Sequence, residues 1–196
     1  QGMDASGKDS LIREVFKNMN TQGIEVTSFK APSDLEYQHD YLWRHYIALP
    51  PKGKIGIFNR SHYENVLISR VHPEIVLKEN IPNITQIEDL DSNFLFLCYN
   101  QINQIEKHLV DNGTIVMKFF LNMDKEEQKE RLLRRIDKTK HNWIFSASDV
   151  EESERWDDYM KFYEETISKT STDYAPWYII PSNEKEISRY LVSEIL

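Results

Sequence analysis

The chain has 196 residues, 40% apolar and 12% aromatic, enough to bury one sizeable core, and a single domain over residues 1–196 is expected. No stretch approaches the roughly 20 apolar residues of a membrane helix and no basic-then-apolar leader opens the chain, so a soluble cytoplasmic protein with no membrane partner is expected. A formal charge of −8 excludes the broad basic footprint of a nucleic-acid binder; a polyanionic partner would need a local basic channel.

The chain opens inside its most informative motif, Gln1-Gly2-Met3-Asp4-Ala5-Ser6-Gly7-Lys8. Such a phosphate loop normally follows a buried strand and none precedes Gln1, so upstream sequence is expected to be missing from this numbering. Leu11, Ile12, Val15, Phe16 and Met19 recur at helical spacing and predict a helix that ends before Gly23. Ile24 to Phe29 alternates as a strand, which Ala31-Pro32 interrupts. Ser33-Asp34-Leu35-Glu36 has capping-box spacing and predicts a helix to about Leu49, stopped by Pro50-Pro51. Ile55 to Phe58 reads as a buried parallel strand ending at Asn59-Arg60-Ser61, followed by a helix over Tyr63 to Arg70. A long helix is predicted over Asn93 to Asp111, with Gly113 as its stop, then a strand over Thr114 to Leu121. Asp124 to Ile136 is helical and basic towards its end, Asp149 to Lys169 helical, Trp177 to Ile180 a strand and Glu184 to Leu196 a closing helix. This alternation predicts an α/β fold whose parallel sheet is covered on both faces, with ligands beyond the carboxyl ends of the strands.

Gly2, Gly7 and Lys8 supply what a phosphate cradle needs: backbone amides free to approach oxygens, a neutralising ammonium and a helix amino terminus. Ala5, Ser6, Asp9 and Ser10 complete this candidate binding segment, with Asp9 standing where Ser or Thr is usual. Asp4 inside the loop would repel phosphate unless Mg²⁺ lies between them; its other reading is a turn cap. Arg60, just past a strand, can hold phosphate oxygens bidentately. Glu64 and Arg70 read equally as site residues or as members of structural ion pairs. Arg131, Arg134 and Arg135 share one helix face, either a solvated face balanced by Glu126, Glu127 and Glu130 or a basic lid, about residues 124–150, closing over phosphates. Cys98, the single cysteine, reads as a small half-buried side chain, and Trp143, Trp156 and Trp177 as core. The six histidines form no nucleophile or metal constellation.

Four segments together resemble the polyphosphate kinase 2 family: the loop with Asp9, Phe29-Lys30-Ala31-Pro32-Ser33, Phe58-Asn59-Arg60-Ser61-His62-Tyr63-Glu64 and Thr170-Ser171-Thr172-Asp173-Tyr174-Ala175-Pro176-Trp177. Leu42-Trp43-Arg44, Asn112-Gly113-Thr114, Lys125-Glu126-Glu127-Gln128 and Trp156-Asp157-Asp158-Tyr159-Met160 fit the same pattern, so the likeness spans nearly the whole chain. The resemblance implies a P-loop kinase fold with a helical lid and transfer of a terminal phosphoryl, in either direction, between inorganic polyphosphate and a purine nucleoside mono- or diphosphate. It implies Mg²⁺, with Mn²⁺ able to substitute, and a homo-oligomer. It assigns Asp4 and Lys8 to a first phosphate motif, Asn59-Arg60-Ser61 to a second, Arg131 and Arg135 to the lid, and Lys30 to the neighbourhood of phosphates or nucleotide. Where the family's familiar second motif has Asp, this chain has Asn59, which shifts the metal load towards Asp4. Around Trp143, where the family often has lysines, stand His141 and Ile144. Two other readings of the same motifs are a nucleoside-triphosphate-dependent nucleotide kinase and a non-catalytic polyphosphate-binding protein.

Overall fold

The structure, a computed structural model, describes the backbone of residues 1–137 and 154–196 and the side chains of 1–134 and 154–196. In chain order its elements are α1 (Lys8–Phe16), β1 (Ile24–Ser28), α2 (Trp43–Tyr46), β2 (Ile55–Asn59), α3 (Glu64–Val71), α4 (Glu74–Leu77) and α5 (Ser92–Asp111). There follow β3 (Lys118–Asn122), α6 (Lys125–Asp137), α7 (Trp156–Thr170), β4 (Trp177–Pro181) and α8 (Lys185–Ile195). They form two compact units, each assembled from separated stretches. The first comprises Gln1–Asn18, Phe119–Lys161 and Tyr178–Leu196, the second Met19–Lys118 and Phe162–Trp177.

In the first unit β3 pairs with β4, and Gly2 makes a parallel bridge to Leu121. The Gln1 nitrogen donates to the Phe119 carbonyl at 2.8 Å, and the Leu121 amide donates to the Gln1 carbonyl at 2.9 Å. The phosphate loop therefore leaves an extended segment laid along a strand. Leu121, Ile180 and Val192 form the buried centre, with Leu11 and Val15 of α1 and Leu191 and Ile195 of α8 packed on it. Burying each of those three central side chains is worth about 1.5–3 kcal/mol, so the apolar stripe of α1 fixes where the helix after the loop must lie.

In the second unit β1 and β2 run parallel, in register from Ile24 opposite Ile55 to Ser28 opposite Asn59. Tyr63, Val66, Leu67, Val76 and Ile102 are each no more than 2% exposed and make its core. Asp91 caps α5 by accepting from the amides of Asn93 and Phe94, and Gly113 follows its end with a φ of 88°, a conformation that glycine adopts at little cost.

Three expected elements differ. β2, expected to be buried, has Ile55 and Gly56 exposed and only Asn59 buried. The helix predicted over residues 33–49 is a 3₁₀ turn (Glu36–Gln38) and the short α2. Its capping box is real, with the Ser33 amide donating to Glu36 Oε2 at 2.6 Å and the Glu36 amide to Ser33 Oγ at 3.4 Å. Extended backbone at His39 then breaks the run, and the Asp40 carboxylate accepts from the Leu42 amide to start a second turn. The strand predicted from Thr114 begins at Lys118, and Ile115 before it is 86% exposed. The short α4 was not anticipated. For the helix predicted over Asp149 to Lys169, residues 149–153 lie outside the described residues, and α7 starts at Trp156.

Candidate functional site

The loop from Gly2 to Lys8 is shaped by one close approach and by backbone angles that favour glycine. A Cβ on Gly2, at a φ of 154°, would meet Ser6 Oγ at 2.8 Å and the Leu121 carbonyl at 3.0 Å. Gly7 has a φ of 96° and caps α1, and Ala5 takes a left-handed φ of 62° without being glycine. Backbone held this way is retained where surrounding contacts over-determine it, as at binding sites. The Lys8 ammonium donates to the carbonyls of Gly2 at 2.8 Å and Met3 at 3.0 Å, which fixes the positive charge across the loop. Ser10 Oγ donates to the Gly7 carbonyl at 2.9 Å, and the exposed Asp9 lies in the first turn of α1, where the helix dipole favours a carboxylate. Ser6 Oγ is buried, with no hydrogen-bond partner among the described residues.

Arg131 stands in the wall of this loop. Its Nη1 donates to the carbonyls of Ala5 at 3.1 Å and Ser6 at 3.3 Å, its Nη2 to those of Ser182 and Asn183, both at 2.7 Å, and its Nε to Glu127 at 2.6 Å. The side chain is 7% exposed. Leu132 beside it packs with Ala5 and Met123, and Gln128 Nε2 donates to the Asp4 carbonyl at 3.2 Å. The structure thus places the Arg131 guanidinium against carbonyls of the loop and of the turn before α8 and against Glu127, which together take all of its donors. Arg134 is exposed and paired with Glu130 at 2.6 Å. The Arg135 side chain, Trp143 and most of the expected lid, from 138 onwards, lie outside the described residues.

Two basic residues of this unit escaped sequence reasoning. Burial and the charges of Arg131, Arg189 and Arg134 hold the Lys185 ammonium below the usual lysine range. Each of these arginines is itself paired with a carboxylate, Arg131 with Glu127, Arg134 with Glu130 and Arg189 with Glu186, and Arg131 also binds the carbonyls that precede α8. Little local marks Lys185, because two of the three arginines near it, Arg131 and Arg134, come from α6.

The second unit carries the other motif. Asn59 ends β2, nearly buried, with its carbonyl accepting from the Phe29 amide at 3.0 Å and its Nδ2 donating to Ser28 Oγ at 3.5 Å. Arg60 follows in left-handed backbone at a φ of 63°, with Nη1 3.6 Å from Glu64 Oε2. Lys30 is exposed and its carbonyl accepts from Arg44 Nη2 at 2.7 Å, while Phe29 is packed between His45 and Phe58. Arg70 pairs with Glu165 at 2.7 Å, lies 4.0 Å over the Phe162 ring and lines a cavity of about 440 Å³ with Phe94 and Leu95. Of its two readings, the ion pair is the one seen. Among the described residues no group of three or more His, Cys, Asp or Glu side chains could hold a metal unaided. The donors present fit an ion shared between one or two carboxylates and the phosphates of a substrate, the usual arrangement for Mg²⁺.

The family profile described as Polyphosphate kinase 2 (PPK2) matches residues 1–196. The chain belongs to the polyphosphate kinase 2 family. It is 50% identical over 196 residues to a Rhodopseudomonas palustris protein named ADP-polyphosphate phosphotransferase, covering all of this chain and 67% of that one. It is 43% identical over 196 residues to a Meiothermus ruber protein named AMP/ADP-polyphosphate phosphotransferase, covering 100% of this chain and 68% of that one. Among solved structures, polyphosphate kinase 2 from Arthrobacter aurescens TC1 superposes with a TM-score of 0.89 at 39% identity, over 100% of this chain and 64% of that one. The chain thus spans about two thirds of these relatives' length, and it has the α/β, P-loop kinase-like fold of a polyphosphate kinase 2. Among the described residues no helix is long and apolar enough to cross a membrane.

Proposed function

We propose that this polyphosphate kinase 2 transfers a terminal phosphoryl group between inorganic polyphosphate and a nucleoside mono- or diphosphate in a Mg²⁺-dependent reaction. The observation that carries the reading is the loop itself, in which Lys8 spans the carbonyls of Gly2 and Met3 beside the buried Ser6 hydroxyl. The names of the two relatives favour ADP, with AMP alongside it, as acceptor.

The chemistry asks little of the protein beyond positioning and charge. An oxygen of the acceptor's terminal phosphate attacks the end phosphorus of polyphosphate. The new P–O bond forms as the bridging P–O bond opposite it breaks, and the chain leaves one phosphate shorter, with no covalent enzyme intermediate. The attacking phosphate is already ionised, so no general base is required, and Asn59 in place of a carboxylate is tolerated. Lys8 and the loop amides hold the phosphates, Arg60 spreads charge on the equatorial oxygens, and Arg131 keeps the loop's carbonyl side in place so that its amide side faces the anion. Asp4 would hold Mg²⁺, which would supply neutralisation of phosphate charge.

The test is to incubate the protein with Mg²⁺, long-chain polyphosphate and, separately, AMP, ADP or GDP, and to resolve the products by chromatography. ADP is expected to yield ATP. Asp4→Asn is expected to lose about 100-fold in turnover in the same assay. Absence of any new phosphorylated nucleotide, together with transfer from a nucleoside triphosphate, would overturn the polyphosphate reading, and near-normal turnover of Asp4→Asn would remove Asp4 from the metal.

A further inference from the structure

Behind the second motif, within one unit, lies an ion pair that solvent barely reaches. Lys118 Nζ is 2.6 Å from Glu106 Oε2, and the two side chains are 5% and 2% exposed. The ammonium spends its other two protons on the Tyr63 hydroxyl at 3.0 Å and the Thr170 carbonyl at 2.7 Å. Tyr63, itself 1% exposed, donates its hydroxyl proton to Glu106 Oε1 at 2.6 Å. Its ring meets Trp177 edge-on at 4.7 Å, and Trp177 Nε1 donates to Thr170 Oγ1 at 2.9 Å. His62 Nε2 lies 3.6 Å from Glu106 Oε1. Burial and the adjacent carboxylate push the Tyr63 phenol well above its ordinary range, so it remains the donor.

Such a pair is a poor source of stability, because desolvating two charges consumes most of what their attraction returns. What it does supply is a fixed point three residues from Arg60. At the other end Asn59 is locked into β2 opposite Ser28. Between these points Arg60 must take its left-handed φ of 63° to turn the chain from strand to helix, and the Tyr63 amide and Glu64 amide close the turn on Ser61. A left-handed backbone is strained for arginine and persists only where its surroundings over-determine it.

We infer that the Lys118–Glu106 pair, acting through the Tyr63 hydroxyl, is a positioning device that holds Arg60 in the conformation from which its guanidinium meets the transferring phosphoryl group. The inference rests on the proposed role of Arg60. Lys118, Glu106 and Tyr63 are positioning residues that act through the turn.

The experiment is a double-mutant cycle on the full chain, with kcat and KM measured for wild type, Tyr63→Phe, Arg60→Ala and the double variant, and a melting curve for each. Arg60→Ala is expected to lower kcat about 100-fold. Tyr63→Phe, which keeps the ring, is expected to lower kcat about tenfold with both KM values within about twofold of wild type. The double variant is expected to turn over within about twofold of Arg60→Ala, because the hydroxyl has nothing left to position. Should Tyr63→Phe melt below the assay temperature, Glu106→Gln replaces it in the cycle and is read in the same way. A tenfold loss that recurs in the Arg60→Ala background overturns the positioning role alone. Wild-type turnover by Arg60→Ala instead removes Arg60 from the site, and the positioning role falls with it.

Discussion

Glu79 and His45, both in the second unit, carry opposite protonation burdens. Burial pushes the Glu79 carboxyl up from 4.5 to about 7, against the hydrogen bond it accepts from Asn65 Nδ2. Burial, then the charges of His62 and Arg44, push the His45 imidazole down from 6.5 to about 2. Over the window from 4.5 to 6.5 the unfolded chain holds one proton on His45 and none on Glu79, whereas the folded chain holds one on Glu79 and none on His45. The two linkages cancel there. In Glu79→Gln only the His45 linkage survives, the unfolded state binds the extra proton, and stability must rise with pH. Denaturant unfolding is expected to give a contribution near zero from this pair in wild type but a slope steeper by about 1.4 kcal/mol per pH unit in Glu79→Gln between about pH 5 and about pH 6. Identical pH slopes for the two proteins would show that Glu79 is ionised in the fold. Neither residue drew notice in the sequence, since the shifts come from packing. Phe29 lies 4.1 Å from the His45 ring and His62 5.6 Å.

At the scale of an element, α6 shows how far pattern reading goes. Its approximate boundaries and its basic end follow from spacing alone, but Arg131 turns inward while Arg134 is exposed, so the two do not share a face. Which arginine turns inward does not follow from spacing. Arg131 is drawn inward because the carbonyls of Ala5, Ser6, Ser182 and Asn183 need donors, and a guanidinium is the side chain with enough of them in one plane. Arg131→Met keeps the bulk and strips every donor, and denaturant unfolding is expected to show a loss of about 3–5 kcal/mol. Arg131→Lys is expected to recover less than half of it, since a point charge cannot bridge carbonyls from two segments. A loss under about 1 kcal/mol in Arg131→Met would mean that water replaces the guanidinium at no cost. The failed helix over 33–49 belongs to the same scale: its capping box formed, but Tyr37, Gln38, His39 and Asp40 offer no apolar stripe to carry a helix onward.

For the whole molecule the governing number is the net charge of −8, which opposes approach of a polyphosphate chain. Attraction must come from local cations, and in the unit that carries the phosphate loop Lys8 and Lys185 are two such groups. Raising KCl from about 0.05 M to about 0.3 M shortens the Debye length roughly from 14 to 6 Å, and the KM for polyphosphate is expected to rise severalfold. The KM for a short nucleotide acceptor is expected to change less, because fewer charges are engaged. Equal salt responses for the two substrates would place the cations elsewhere than on the polyphosphate.

The order of strands and helices, the phosphate loop with its lysine, and the family were legible in the sequence because they depend on local properties. Periodicity marks a helix, glycine spacing marks a loop that backbone must enter, and several short motifs in one order mark a lineage. Tertiary structure decided what depends on residues far apart in the chain: Arg131 turned inward to the loop, Lys185 among arginines of α6, and Lys118 joined to Glu106 and Tyr63 behind Arg60. Each of those depends on buried polar groups finding partners, and a sequence does not show which carbonyl will lack a donor until the chain has folded around it.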